Sequence, residues 1–261
     1  MNYTYHPFQP TLTPSALVKF GFTLKTSSPN DLLKDTVHSF LQITSKTATP
    51  YPVMPDGTQA IYFSQNGAMI AGALHEAQDV QMLQAGDYFG IWFKPGALRH
   101  FFRLNLSEIA GQFVDSQYFQ CASFSRLHDE IYRHSSFSQR MAVCEKWLLS
   151  RFIATPITKF DHALSLIYQS HGSAKIGVLA DKVDWSSRHL NRQFLQHTGL
   201  SIKRFSEVIR VQSFCQQVHL NPTQSLETAF ELGYYDQSHL IKSFKKQLKS
   251  TPSAFFHRFM S

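Results

Sequence analysis

The sequence predicts an α+β chain, with a β-rich N-terminal domain flanked by helices and then a purely helical C-terminal domain with two helix-turn-helix units. Three observations carry this. Short runs of strand-forming residues lie between Ala60 and Phe93, separated by turn residues. From Phe160 onward every apolar pattern has helical spacing. Within that second part the sequence repeats itself at an interval of about 50 residues.

Residues 1 to about 58 carry little pattern. Leu17, Val18, Phe20 and Phe22 are expected to form a short strand, and Pro50, Pro52, Pro55 and Gly57 mark a loop. Strands are expected at Ala60–Phe63, Ala68–Ala73, Val80–Leu83 and Tyr88–Phe93, with Asn66-Gly67 turning a hairpin between the first two. After Pro95-Gly96 the spacing of Leu98, Phe101, Phe102 and Leu106 predicts a helix face. A helical pattern returns over Phe124–Phe152. Its stripe of Met141, Cys144, Leu148 and Phe152 either packs on the β domain or forms a dimer seam. The pattern breaks at Ile153–Thr158. The expected division is therefore 1–153, a linker at 154–159, and 160–261.

The 261 residues allow one large domain or two ordinary ones, and 43% apolar content suffices for a core. No apolar run is long enough to span a bilayer, and Met1–His6 does not begin a signal peptide. Cys121, Cys144 and Cys215 are too scattered for a disulfide framework or a zinc motif, so a reducing cytoplasm is the expected compartment. Of the net charge of +7, residues 160–261 hold +5, which suits an anionic partner. His75-Glu76 lacks the second histidine of a zinc-protease helix, and no glycine-rich phosphate loop is present. The chain is not expected to be an enzyme, nor to hold a metal or cofactor.

The repeat is specific. His189, Leu190, Phe194 and Phe205 recur 50 residues later as His239, Leu240, Phe244 and Phe255. Ala180 and Val183 recur as Ala229 and Leu232, now 49 residues apart, so the second copy has one extra residue in its turn. Helices are expected at Ile176–Lys182 and Ser187–His197 in copy one, and at Leu226–Leu232 and Gln237–Leu248 in copy two. A long helix, Ile202–Val218, joins them. Gly233 and Asp184 occupy the turns that need a left-handed conformation, Ser225 is placed to cap its helix, and Thr251-Pro252 reads as a cap followed by proline. In each second helix Leu190 and Phe194, or Leu240 and Phe244, face the core. The opposite face carries Arg188, Asn191 and Arg192 in one copy and Ser238, Ile241 and Lys242 in the other. Arg and Asn match guanine and adenine edges, Lys reaches guanine or phosphate, and Ile suits a thymine methyl. The same offsets in two copies point to double-stranded DNA rather than to two solvated faces.

Leu179-Ala180, Ser187-Arg188-His189-Leu190-Asn191-Arg192-Gln193-Phe194 and Thr198-Gly199-Leu200-Ser201 carry the first half of a family pattern. Leu232-Gly233-Tyr234-Tyr235-Asp236-Gln237-Ser238-His239-Leu240, Phe244-Lys245-Lys246 and Thr251-Pro252 carry the second. On these residues the chain resembles the AraC/XylS family of bacterial transcription regulators, over roughly residues 160–261. The resemblance implies a seven-helix DNA-binding domain and contacts to promoter DNA from Ser187, Arg188, Asn191, Arg192, Gln237, Ser238, Ile241, Lys242, Lys245 and Arg210. Lys249 departs from the glycine usual before the Thr-Pro pair.

It also implies a cupin-like sensor or dimerisation half, an activator working with RNA polymerase, and a small-molecule effector. Tyr62, Phe63, Trp92 and Phe93 are the candidate effector residues. The alternative is a ligand-independent regulator whose N-terminal half only dimerises or contacts another protein. A closed apolar pocket of ligand size separates the two readings. His75 and His100 are too few for a cupin metal site.

Overall fold

The computed structural model describes residues 5–48, 50–81, 85–115, 123–221 and 225–260. A short helix, α1 (Pro14–Phe20), stands where the sequence pattern predicts a strand. Pro14 supplies a preset φ at the first helical position, and Gly21, at φ +69°, ends the helix. The strand starts only at Phe22, so the apolar run divides between two elements. Among the described residues eight strands follow: β1 (Phe22–Ser27), β2 (Val37–Ser45), β3 (Pro50–Val53), β4 (Gln59–Ser64), β5 (Gly67–Ala71), β6 (Gln78–Gln81), β7 (Gly86–Phe93) and β8 (Phe113–Asp115). Met82 and Leu83, part of an expected strand, and Cys121 lie outside the described residues.

Six strands form one antiparallel sheet in the order β1-β2-β7-β4-β5-β8, and β3 and β6 form a separate ribbon. The β4–β5 hairpin turns at Gln65-Asn66, with Ser64 opposite Gly67. No α-helix follows Pro95-Gly96. The chain makes two single 3-10 turns instead, at Ala97–His100 and Leu106–Glu108, although Leu98, Phe101, Phe102 and Leu106 are all buried as the spacing requires.

The region 124–152 becomes two helices, α2 (Ser123–Arg133) and α3 (Phe137–Arg151). The Met141–Phe152 stripe faces inward. Cys144 and Leu148 are fully buried against the sheet core of Phe40, Phe63, Phe89 and Phe93, with Met141 and Phe152 packed beside them. The stripe is therefore core and not a dimer seam.

Seven helices follow among the described residues: α4 (Lys159–Gln169), α5 (Ile176–Lys182), α6 (Ser187–Thr198), α7 (Ile202–Leu220), α8 (Ser225–Glu231), α9 (Gln237–Leu248) and α10 (Pro252–Met260). Several have a clear local cause. Thr158 and Asp161 close a reciprocal capping box at the start of α4. The serine expected to cap α8 is its first helical residue, and the cap position lies outside the described residues. Thr251 accepts the Ala254 amide ahead of α10. No helix among the described residues is long and apolar enough to cross a membrane.

The two helix-turn-helix units, α5–α6 and α8–α9, match in detail. The Trp185 amide donates to the Ala180 carbonyl and the Tyr234 amide to the Ala229 carbonyl, each at 3.0 Å. Asp184 and Gly233 both take positive φ, +48° and +79°. Ser186 and Asp236 cap α6 and α9 by accepting the His189 and His239 amides at 3.2 and 2.7 Å. Trp185 packs on His189, and Tyr234 and Tyr235 on His239, an aromatic wedge that fixes the angle of each turn. Leu190, Phe194, Leu240 and Phe244 are buried, as their spacing requires.

The cores are not divided at residues 154–159. Tyr5 and Ala73 belong to the core of the first helix-turn-helix unit, and Met54 to that of the second. Tyr5 stacks on Tyr168 at 4.8 Å. Gly57, at φ +77°, lies so close to Phe205 that a Cβ there would sit 2.7 Å from its ring. Gln212 of α7 accepts the Phe8 amide at 2.8 Å and donates to the Pro55 carbonyl at 2.9 Å. Arg99 pairs with Asp161 and lies over the Phe160 ring.

Three consequences are measurable. Phe244→Ala should cost about 3–5 kcal/mol in denaturant unfolding of the full chain, because the ring is fully buried among Phe214, Phe255 and Phe256; a wild-type midpoint contradicts the packing. Ser186→Ala and Asp236→Ala should each cost about 1 kcal/mol by the same measurement, and an unchanged midpoint in both means the caps are not formed.

The third concerns acid. Burial, helped by nearby positive charge, lowers His38 and His197 to about 4, and burial lowers His100 and His171 as well. The unfolded chain takes these protons near pH 6.5 and the folded chain does not, so their contribution to stability is present above 6.5 and is lost as pH falls toward 4. Asp56, raised by burial, works in the opposite sense in its own range. The thermal midpoint should fall steadily from pH 6.5 to 4, and a flat profile contradicts neutral burial of the histidines.

Candidate nucleic-acid interface

The candidate surface starts from the outer faces of α6 and α9. Their inner faces are held by the buried Leu and Phe pairs, so helix geometry turns the opposite positions outward. Ser187, Arg188 and Arg192 on α6 are exposed around a half-buried Asn191. At the same offsets on α9, Gln237, Ser238 and Lys242 surround a half-buried Ile241. Lys245 extends the second face and is exposed. Both helices thus present the same pattern of open positions around a half-covered one.

Two residues hold partners that carry no mark in the sequence. Asn191 Oδ1 accepts the Ile202 amide at 3.2 Å, so this side chain also caps the joining helix α7. Arg210 is half-buried, and its Nη2 donates to the Gly172 carbonyl at 2.7 Å. Its guanidinium sits beside the Tyr234 ring, in the cleft that Lys242 also lines. Arg192 donates to His189 Nδ1 at 3.0 Å, which orients the guanidinium along α6. Lys249 takes the left-handed conformation, at φ +55°, that glycine would take more easily, and its ammonium pairs with Glu76.

Between the two units lies a cleft of about 540 Å³. Lys175, Lys203, Arg210, Lys242 and Lys246 line it, together with His239, Glu207 and the small residues Ser173, Ser206 and Ser243. Nothing in the sequence brings Lys175, Lys203 and Lys246 together, since their meeting depends on how α5 and α9 are placed around α7.

The expected effector residues do not come together. Strand alternation sends Tyr62 and Trp92 to one face of the sheet and Phe63 and Phe93 to the other, where both phenylalanines are fully buried in the core. Tyr62 and Trp92 line a cavity of only about 40 Å³. Trp92 donates to Thr58 Oγ1 at 2.6 Å beside it, and Asp56 closes the polar end, held by Gln9 and Thr58. A cavity of that size suits a water or two and is far below the roughly 300–1,000 Å³ of ligand pockets. Among the described residues no three His, Cys, Asp or Glu side chains converge as a metal site would require. His75 lies beside Gly111, and His100 lies near the Ile153 carbonyl.

Comparison with known proteins agrees with the geometry of the C-terminal part. A family described as a helix-turn-helix domain matches residues 179–258, from the second half of α5 into α10. A domain of unknown function, DUF6597, matches residues 25–115. An uncharacterized HTH-type transcriptional regulator of Haemophilus influenzae (strain ATCC 51907 / DSM 11121 / KW20 / Rd) is 29% identical over 92 residues, 35% of this chain and 31% of the relative. The chain thus spans about a third of the curated relative it matches. Among solved structures, ToxT from Vibrio cholerae O395 is similar with a TM-score of 0.43 and 10% identity, over 92% of this chain and 98% of that one. An unsaturated fatty acid bound ToxT from strain SCE256 gives 0.42 and 11%, over 92% and 95%. With its capped, duplicated helix-turn-helix units inside the matched region, the C-terminal part of the chain carries a helix-turn-helix domain similar to that of the AraC/XylS transcription regulators.

Proposed function

We propose that the chain is a sequence-specific DNA-binding transcription regulator that reads two segments of promoter DNA, one with α6 and one with α9. One observation carries this reading: two helices, each braced by the same turn and cap, present polar and basic side chains at the same offsets. Ser187, Arg188, Asn191 and Arg192 face one segment, and Gln237, Ser238, Ile241, Lys242 and Lys245 the other. Because the two faces differ in sequence, the site they read is asymmetric. In this reading residues 160–261 bind DNA, 154–159 link, and 1–153 regulate. The activator role and the contact with RNA polymerase are part of the same proposal and rest on the resemblance of residues 160–261 to the AraC/XylS regulators.

The small cavity at Tyr62 and Trp92 favours a second reading of the N-terminal half. In it this half acts by contact, either on its own α7 or with another protein chain, and encloses no effector. Its bonds to Gln212 support that role, since they join it directly to the helix shared by both units.

On a site selected from random DNA, Arg192→Ala should weaken binding by about 1–3 kcal/mol at one or two base positions and relax preference there. Fluorescence anisotropy on single-base variants measures this. Equal affinity of Arg192→Ala and wild type for every variant removes α6 from the reading surface.

A further inference from the structure

The cleft between the two helix-turn-helix units is not a packing defect. At about 540 Å³ it has the size of a ligand site. Its walls are cationic, and Glu207 is the single acid in its lining among the described residues. That acid is already engaged, 2.8 Å from Lys246 and 3.4 Å from Arg204. Lys175, Lys203 and Lys242 have no ion pair among the described residues.

Two buried donors add an independent observation. Ser206 is 6% exposed, and its hydroxyl has no hydrogen-bond partner among the described residues. Arg210 spends Nη2 on the Gly172 carbonyl, while its buried Nε has no partner among them. Both side chains line this cleft. A buried donor left unpaired is unfavourable, so this pair of donors calls for an acceptor that arrives from outside.

We infer that the cleft is a binding site for a phosphate group. A phosphate has enough acceptor oxygens to meet Ser206 and Arg210 together while its charge faces the free lysines, and charge-assisted bonds of this kind are the strong ones. Arg210 suits the role because its guanidinium is held in place before the ligand arrives. Two sources share this chemistry. One is the DNA backbone between the segments read by α6 and α9, since Lys242 belongs both to the outer face of α9 and to the cleft. That source rests on the DNA-binding reading above. The other is a free phosphorylated compound, which would hold Lys242 away from DNA.

The full-length chain tests this in two arms. The first titrates it with sodium pyrophosphate in a calorimeter, without DNA. The second measures affinity for a selected DNA site against salt concentration. The variants are the pair Lys175→Gln with Lys203→Gln, and Ser206→Ala, each checked for a wild-type circular dichroism spectrum. If the DNA backbone fills the cleft, the lysine pair lowers the salt slope by about 1 for each phosphate that is no longer neutralised and leaves base preference intact. If a free phosphate fills it, pyrophosphate binds wild type, both variants weaken that binding at least tenfold, and pyrophosphate competes with DNA. The inference is overturned if the folded variants keep the wild-type salt slope and pyrophosphate either fails to bind or binds all three proteins alike. In that case a changed base preference in Arg192→Ala shows that the DNA reading stands and only the cleft falls. If wild type binds no DNA, the pyrophosphate arm alone decides.

Discussion

Both helix-turn-helix units depend on one helix. α7 spans 19 residues, about 28 Å of helix. Its first half gives Ile202, Phe205, Val208 and Ile209 to the core that holds α6. Its second half gives Val211, Phe214, Cys215 and Val218 to the core that holds α9. A regular helix fixes the distance and rotation between its two halves, so neither unit turns without the other. The contact of Phe194 with Phe205 and that of Phe244 with Phe214 transmit this constraint to the two outer faces. The caps and aromatic wedges then set each helix locally, and the cleft is the space left where α7 keeps the units apart.

The N-terminal half bears on the same helix. Gln212 is fully buried, and its amide bonds to both the amide and the carbonyl of Phe8 and to the carbonyl of Pro55. A buried amide satisfied in this way holds its partners closely, because breaking the set leaves polar atoms unpaired away from water. Gly57 against Phe205, and Arg99 against Asp161 and Phe160, extend the contact to the first unit. The Ala77 amide, which donates to the Gln247 carbonyl at 2.6 Å, extends it to the second. A shift in the segment from Met54 to Gln59 is therefore felt by the helix that spaces the outer faces of α6 and α9.

Legibility in the sequence follows how local each cause is. α5, α6 and α9 are legible to within a residue at their ends because caps, turns and apolar spacing lie within a few residues of one another, and the repeat presents each signal twice. The first strand is misplaced because Leu17 to Phe22 belongs to two elements, and the break depends on the left-handed turn at Gly21. β2 carries no strand signal because Phe40–Ile43 is buried on both faces, which erases the alternation that marks a half-exposed strand. The residues after Gly96 keep their buried positions without forming an α-helix, since 3-10 turns and a helix place apolar side chains at similar spacing over so short a run. The second role of Asn191 and the meeting of Lys175, Lys203 and Lys246 are invisible in sequence, because they depend on how helices are arranged about α7. The interleaving of the two halves is hidden for the same reason: Tyr5 and Met54 carry no mark of the cores they join.

The claim that one rigid helix spaces two reading faces is tested most directly on the DNA. Footprinting on a selected site should protect two segments about one helical turn apart, roughly 34 Å. Inserting about five base pairs between them, half a turn, moves one segment to the far side of the duplex. The affinity should then collapse to that of a single segment. Undiminished binding to the lengthened site, with both segments still protected, would contradict the account.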